Sequence, residues 1–147
     1  MKNLATILKV FAFLMIMMGS LELEAQCKYF TQRKCLPQLA PYQNNGQINT
    51  TVLFEGDSAT LRMTFFSEQE YRMVVCPHTS LGDSVYFKIR DLDNELLYNS
   101  KGKTNTWDFK VNSTQDLNVS VIVPRQANNM TGLPQSGCVS VILGFKP

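Results

Sequence analysis

Leu117-Asn118-Val119-Ser120-Val121-Ile122-Val123 decides the fold class. Leu117, Val119, Val121 and Val123 occupy every second position, with Asn118 and Ser120 between them. Strand side chains point alternately to opposite faces, so the row has one apolar face and one wet face. Five further segments repeat the pattern. Leu61, Met63 and Phe65 alternate with Thr60, Arg62 and Thr64. Tyr71, Met73 and Val75 alternate with Arg72 and Val74. Val85, Phe87 and Ile89 alternate with Tyr86, Lys88 and Arg90. Trp107, Phe109 and Val111 alternate with Asp108 and Lys110, and Val139, Val141, Leu143 and Phe145 close the chain.

Turn chemistry separates these rows. Glu55-Gly56-Asp57 precedes one strand, Asp91 to Glu95 lies between two others, and Ser100-Lys101-Gly102-Lys103 follows. Weaker strands fall near Gln47–Phe54 and Glu95–Asn99. Strands at this spacing, with no convincing amphipathic helix, predict an all-β chain. The expected fold is an antiparallel, jelly-roll-like β-sandwich of about seven to nine strands. Two segments read as irregular: 26–46, and the connection 124–137. A loop as long as the second is uncommon in a compact domain unless it is functional or mobile, so it is the first place to look for a contact surface.

Upstream of the strands, Lys2 and Lys9 flank the start of an apolar run, Val10 to Met18, which Gly19 and Ser20 break. Leu23-Glu24-Ala25 then offers a signal-peptidase-like site before Gln26. A basic start, a short apolar stretch and a small residue at the cut describe a secretory signal. The expected organisation is a signal peptide at 1–25, an N-terminal arm at 26–46 and the sandwich at 47–147. Removing residues 1–25 from the 147 leaves 122, enough for one domain. No second long apolar segment predicts a membrane span in the mature chain. Gln26 before Cys27, in place of a small residue, is a poor match to a lipoprotein site.

The formal net charge of +2 survives the cut, because Lys2 and Lys9 balance Glu22 and Glu24. A near-balanced surface lacks the basic stripe of a nucleic-acid binder, so none is expected as a partner. Lys28, Arg33 and Lys34 form the densest positive cluster, read as a solvated tail.

Export makes Cys27, Cys35, Cys76 and Cys138 candidate disulfide partners. A Cys76–Cys138 bond would tie the last strand to the middle of the sheet, with Cys27–Cys35 pinning the arm. Pairing of Cys35 with Cys76 or Cys138 is the open alternative. No CxxC spacing and no neighbouring histidine point to a metal or a redox pair.

Nothing in the sequence selects an enzyme or a cofactor. His78 is the single histidine, and any Ser-His-Asp or Cys-His arrangement must use it. Ser80 and Ser84 are near it in sequence, but no GxSxG elbow is present, and a surface-loop histidine is the simpler reading. Asp91-Leu92-Asp93-Asn94-Glu95 lacks the glycine and glutamate spacing of an EF-hand loop and reads as a hairpin turn. Trp107, Tyr86, Tyr98 and Tyr42 are the aromatics available for a sugar platform. Trp107 shares the parity of Phe109 and Val111 and reads as core, whereas Tyr86 lies on the wet parity. Asn49, Asn112, Asn118 and Asn129 begin Asn-x-Ser/Thr sequons.

Several segments together resemble small exported proteins of Bacteroidetes bacteria. They are Gln26-Cys27, Leu39-Ala40-Pro41-Tyr42 with Asn45-Gly46-Gln47, Val52-Leu53-Phe54-Glu55-Gly56, Tyr71-Arg72-Met73-Val74-Val75-Cys76, Trp107-Asp108-Phe109, and Gly137-Cys138-Val139 with Gly144-Phe145. The resemblance covers most of the mature chain and brings no activity with it. Residues 53–123 are more faintly similar to prepeptidase C-terminal-type sandwich domains, which are accessory modules of secreted enzymes. In a Bacteroidetes source, Asp57-Ser58-Ala59 and Asp83-Ser84-Val85 resemble an O-glycosylation pattern.

The expectation is therefore an exported, periplasmic or cell-surface-facing protein that binds or scaffolds rather than catalyses. Its partner would be an envelope protein or a glycan, and a carbohydrate-binding or carbohydrate-processing domain is the alternative. The 124–137 loop with Arg125 and Asn128, and separately Tyr86, are the candidate binding residues.

Overall fold

A computed structural model of the chain describes residues 8–9, 22–127 and 132–146. After a helix α1 (Glu22–Phe30) come a wide helical turn (Thr31–Cys35) and a tight one (Leu36–Leu39). Eight strands follow: β1 (Gln43–Phe54), β2 (Ser58–Phe65), β3 (Glu70–Pro77), β4 (Tyr86–Arg90), β5 (Leu96–Asn99), β6 (Thr106–Lys110), β7 (Gln115–Ile122) and β8 (Ser136–Phe145). A short helical turn, Thr79–Leu81, interrupts the β3–β4 connection.

The strands form two antiparallel sheets, ordered β1-β8-β3-β6 and β2-β7-β4-β5. First pairs with last, second with seventh, third with sixth and fourth with fifth. That is one long hairpin wound across two sheets, the jelly roll expected from the sequence. The apolar rows face each other between the sheets. Phe65, Met73, Phe87, Ile89, Val119 and Val123 are wholly buried there. Where the sandwich opens between β5 and β6, aromatic rings close it. Trp107 stacks on Phe109 at 4.1 Å and on Tyr98 at 4.5 Å.

One expectation fails on the first sheet. Val74 sits on the parity read as wet, yet it is fully buried, as is Ile142. The arm causes this. Cys35 and Leu39 pack over Val74, Cys76 and Ile142 as a second small core on the outer face. β3 and β8 are therefore covered on both faces, and their burial no longer alternates. The arm is also helical where an irregular segment was expected, α1 runs through the expected cut after Ala25, and β1 begins at Gln43 rather than at 47.

The disulfides clamp this arrangement with a pairing other than the preferred one. Cys27 bonds Cys138, and Cys35 bonds Cys76. Cys76–Cys138 and Cys27–Cys35 do not form; only the open alternative for Cys35 with Cys76 matches. The physical reason is again the arm. It lies across β3 and β8 instead of folding on itself, so each of its cysteines meets a strand cysteine. The bonds span 111 and 41 residues. Loop-closure entropy assigns them about 5 and about 4 kcal/mol.

Candidate functional site

Three connections meet at one end of the sandwich: the β1–β2 turn, the β3–β4 connection and the roots of the β7–β8 loop. Backbone hydrogen bonds hold them together. Glu55 N donates to Gln135 O (2.9 Å), Gly56 N to Val123 O (2.8 Å), and Val123 N to Asp57 O (2.9 Å). The β1–β2 turn closes on itself, with Phe54 N donating to Asp57 Oδ2 at 3.0 Å. On the other side, Gln126 Nε2 donates to Leu81 O at 3.0 Å. The connection between β7 and β8 is thus hydrogen-bonded to its neighbours at both roots.

Gly56 is the pivot. Its φ of +91° lies in the region that side chains disfavour. A Cβ there would also come within 2.9 Å of Arg125 Nε. Arg125 therefore lies flat along the turn, its stem braced and its residue exposed to solvent. Beside it opens a cleft of about 340 Å³ lined by Glu55, Arg125, Gln126, Gly132 and Pro134. Phe54 and Leu133 flank this end, 48 % and 71 % exposed. An exposed arginine at an end that also exposes large apolar side chains is a composition enriched at protein interfaces.

Of the residues singled out in the sequence, Arg125 lies at this site, and Asn128 falls outside the described residues. Tyr86 opens β4 opposite Ile122 and so stands close to the same end, on the outer face of the second sheet. Its ring carries Lys88 at 5.8 Å and Lys101 at 5.6 Å. Phe54, Glu55, Gly56 and Leu133 were not singled out as binding residues. Glu55-Gly56-Asp57 is visible in the sequence only as a turn; nothing there shows that it packs against the 124–137 loop.

The other candidates are accounted for by local structure. His78 Nδ1 accepts from Ser80 N (3.2 Å) and lies 2.9 Å from Ser80 Oγ, capping the Thr79–Leu81 turn. Ser80 spends its hydroxyl proton on Ser136 O at 2.8 Å. Among the described residues no carboxylate pairs with His78. Asp91 Oδ1 accepts from Glu95 N at 2.8 Å, and Asn94 takes a φ of +66°, which is turn chemistry. Among the described residues no group of three metal-ligating side chains converges.

The shifted ionisable groups lie away from this end, in surface pairs. Hydrogen bonding to Arg72 lowers the pKa of Asp108, and hydrogen bonds from Thr64 and Arg62 lower that of Asp116. The Glu70 carboxylate raises that of Lys146.

No family model matches the chain, and no curated protein matches it. Solved structures do. The chain is similar to PliG of Aeromonas hydrophila, a periplasmic lysozyme inhibitor of g-type lysozyme, with a TM-score of 0.51 at 8 % identity. That match covers 72 % of this chain and 89 % of the inhibitor. PliG of Salmonella Typhimurium, with the same described role, aligns at a TM-score of 0.43 and 10 % identity, over 67 % of this chain and 89 % of the inhibitor. At 8 % identity the likeness to the Aeromonas protein is one of fold.

Proposed function

We propose that this chain is an exported, non-catalytic binding protein, and that the loop-bearing end of its sandwich inserts into an acid-lined cleft of a partner protein. The observation that carries this reading is Arg125, laid across Gly56 at the end that also exposes Phe54 and Leu133. Glycoside hydrolases present such a cleft, since they cut with a pair of carboxylates. A guanidinium matches a carboxylate in geometry as well as in charge. The leader-like start and two disulfides fit an oxidising compartment, the periplasm or cell surface. The fold shared with a periplasmic lysozyme inhibitor makes a g-type lysozyme the first partner to test.

The test is lysis of peptidoglycan by a g-type lysozyme with and without the protein, beside direct binding by interferometry. The protein is expected to slow lysis and to form a complex. Arg125→Glu is expected to weaken that complex at least tenfold, as reversal of an interface anchor does. Lysis and binding unaffected by the unchanged protein remove lysozyme as the partner; a complex indifferent to Arg125→Glu removes this end as the site. Trp107 adds nothing to the glycan reading, because both Tyr98 and Phe109 stack on it, and that reading rests on Tyr86 alone.

A further inference from the structure

A second surface lies along β1, an edge strand of the first sheet. Its backbone parity follows from two hydrogen bonds. Glu55 N donates to Gln135 O, so the odd-numbered residues of β1 turn their backbone groups towards β8. On the far side of β8, Cys138 O accepts from His78 N and faces β3, which leaves Val139 facing Thr51. Ile48, Thr50 and Val52 therefore point their N–H and C=O groups away from the sheet. Phe54 shares that parity, but its N–H and C=O are both taken by Asp57. The open part of the edge is thus confined to Ile48–Val52.

A groove lies on each face of this short edge. The outer one, about 590 Å³, runs between the strand and Cys27, Lys28, Thr31 and Gln32 of the arm. The inner one, about 410 Å³, opens between the sheets and reaches Leu53, Ala59, Leu61, Val121, Val139 and Val141. A strand added at this edge would place successive side chains alternately in the two grooves. The inner groove suits apolar side chains. The outer groove offers an ammonium, hydroxyls and an amide, and among the described residues its lining holds no carboxylate.

We propose that the Ile48–Val52 edge takes up an extended segment of a partner polypeptide as an additional strand, one that alternates apolar with acidic side chains. Backbone pairing supplies the affinity, and the two grooves read the alternation. A second copy of β1 fits less well, because Gln43–Phe54 contains no aspartate or glutamate to meet Lys28. This surface is separate from the loop-bearing end and does not depend on the reading of that end.

The probe is a fluorescein-labelled peptide of alternating valine and glutamate, followed by fluorescence polarisation with the purified protein. A control peptide carries lysine in place of glutamate. The glutamate peptide is expected to bind and the lysine peptide to bind more weakly. Lys28→Glu should reduce affinity for the glutamate peptide about fivefold, the scale of a surface charge pair. Ile48→Pro deletes one outward N–H and none of the bonds to β8, a change that sheet edges accept. It should abolish binding while the chain stays folded. Should that variant fail to fold, a peptide N-methylated on the amides that face β1 supplies the same test on the unchanged protein. Equal binding of the N-methylated and parent peptides overturns the proposal, as does equal binding of the lysine peptide or no binding at all. Sedimentation as a dimer that the glutamate peptide fails to dissociate would make a second copy the occupant, and would also overturn it.

Discussion

Cys27 is bonded to Cys138, so helix α1 is covalently joined to strand β8. With Cys35 bonded to Cys76, the arm is stapled across two neighbouring strands, β8 and β3. The small core of Leu39, Val74 and Ile142 lies beneath it. Opening the bond that spans 111 residues should cost about 5 kcal/mol and opening the one that spans 41 about 4 kcal/mol. Paired Cys→Ala variants measured by urea unfolding check this. Loss of either bond should raise amide exchange at Val74 and Ile142 before it does so at Phe87 or Val119, which lie between the sheets. Non-reducing peptide mapping should recover Cys27–Cys138 and Cys35–Cys76, and recovery of Cys27–Cys35 would contradict the stapled arm.

Gly56 and Gly102 separate backbone strain from side-chain collision. Both have positive φ, +91° and +76°. A Cβ at Gly102 meets nothing within 4 Å, whereas at Gly56 it meets the Arg125 side chain. Alanine at either should cost about 1 kcal/mol in backbone strain. Gly56→Ala should in addition push Arg125 off the turn and weaken capture of the partner, while Gly102→Ala leaves capture unchanged. Equal capture by the two variants would show that the brace on Arg125 is irrelevant to binding.

The rows Leu117–Val123 and Val139–Phe145 were legible because period two is a local property, and the structure keeps them as inner faces. Burial of Val74 and Ile142 was not legible. It depends on an arm packing over β3 and β8 from many residues away, and no local pattern records that. The same non-local contact misdirected the preferred disulfide pairing. At the loop-bearing end, the length of 124–137 drew notice to Arg125, but its support by Gly56 is a contact between distant turns. Phe54 continues an apolar run and gives no local sign that its ring ends outside the core.

Arg72 grips Asp108 through two hydrogen bonds of 2.7 Å, donated by Nε and Nη2. Its Nη1 donates to Ala40 O, and Tyr42 lies under the guanidinium at 4.7 Å. The pair therefore joins the edge strand β6 to the end of the arm through β3. The Arg72 hydrogen bond lowers the pKa of Asp108 below its ordinary 3.8. A lowered carboxyl stabilises the fold above its unfolded pKa, and that contribution is lost as pH falls through the folded value. Asp108 is 43 % exposed, so screening holds the contribution below about 1 kcal/mol. Asp108→Asn should lower stability at pH 7 by no more than that and flatten the decline below about pH 4. Unfolding at a series of pH values reads both effects; parallel curves for the two proteins would deny the linkage.

Thr31, Thr50 and Ser140 form a cluster of hydroxyls under α1, and proton bookkeeping gives it a direction. Thr31 Oγ1 donates to Cys27 O at 2.8 Å, so towards the other two hydroxyls it accepts. Ser140 Oγ, 2.6 Å away, donates to it, and Thr50 Oγ1 at 3.1 Å supplies Ser140. Thr31 and Ser140 are wholly buried, so each lost partner is felt. Removing Ser140 Oγ still leaves Thr31 able to serve Cys27 O and to accept from Thr50, 3.0 Å away. Removing Thr31 Oγ1 takes away one donor to Cys27 O and the nearest acceptor of the Ser140 proton. Thr31→Val should therefore cost about 2–3 kcal/mol and Ser140→Ala about 1 kcal/mol. Thr31→Val should also loosen the outer groove beside β1, whose lining includes Thr31 and Thr50. Chemical denaturation of the two variants decides the order, and a larger loss for Ser140→Ala would reverse the assigned direction of the chain.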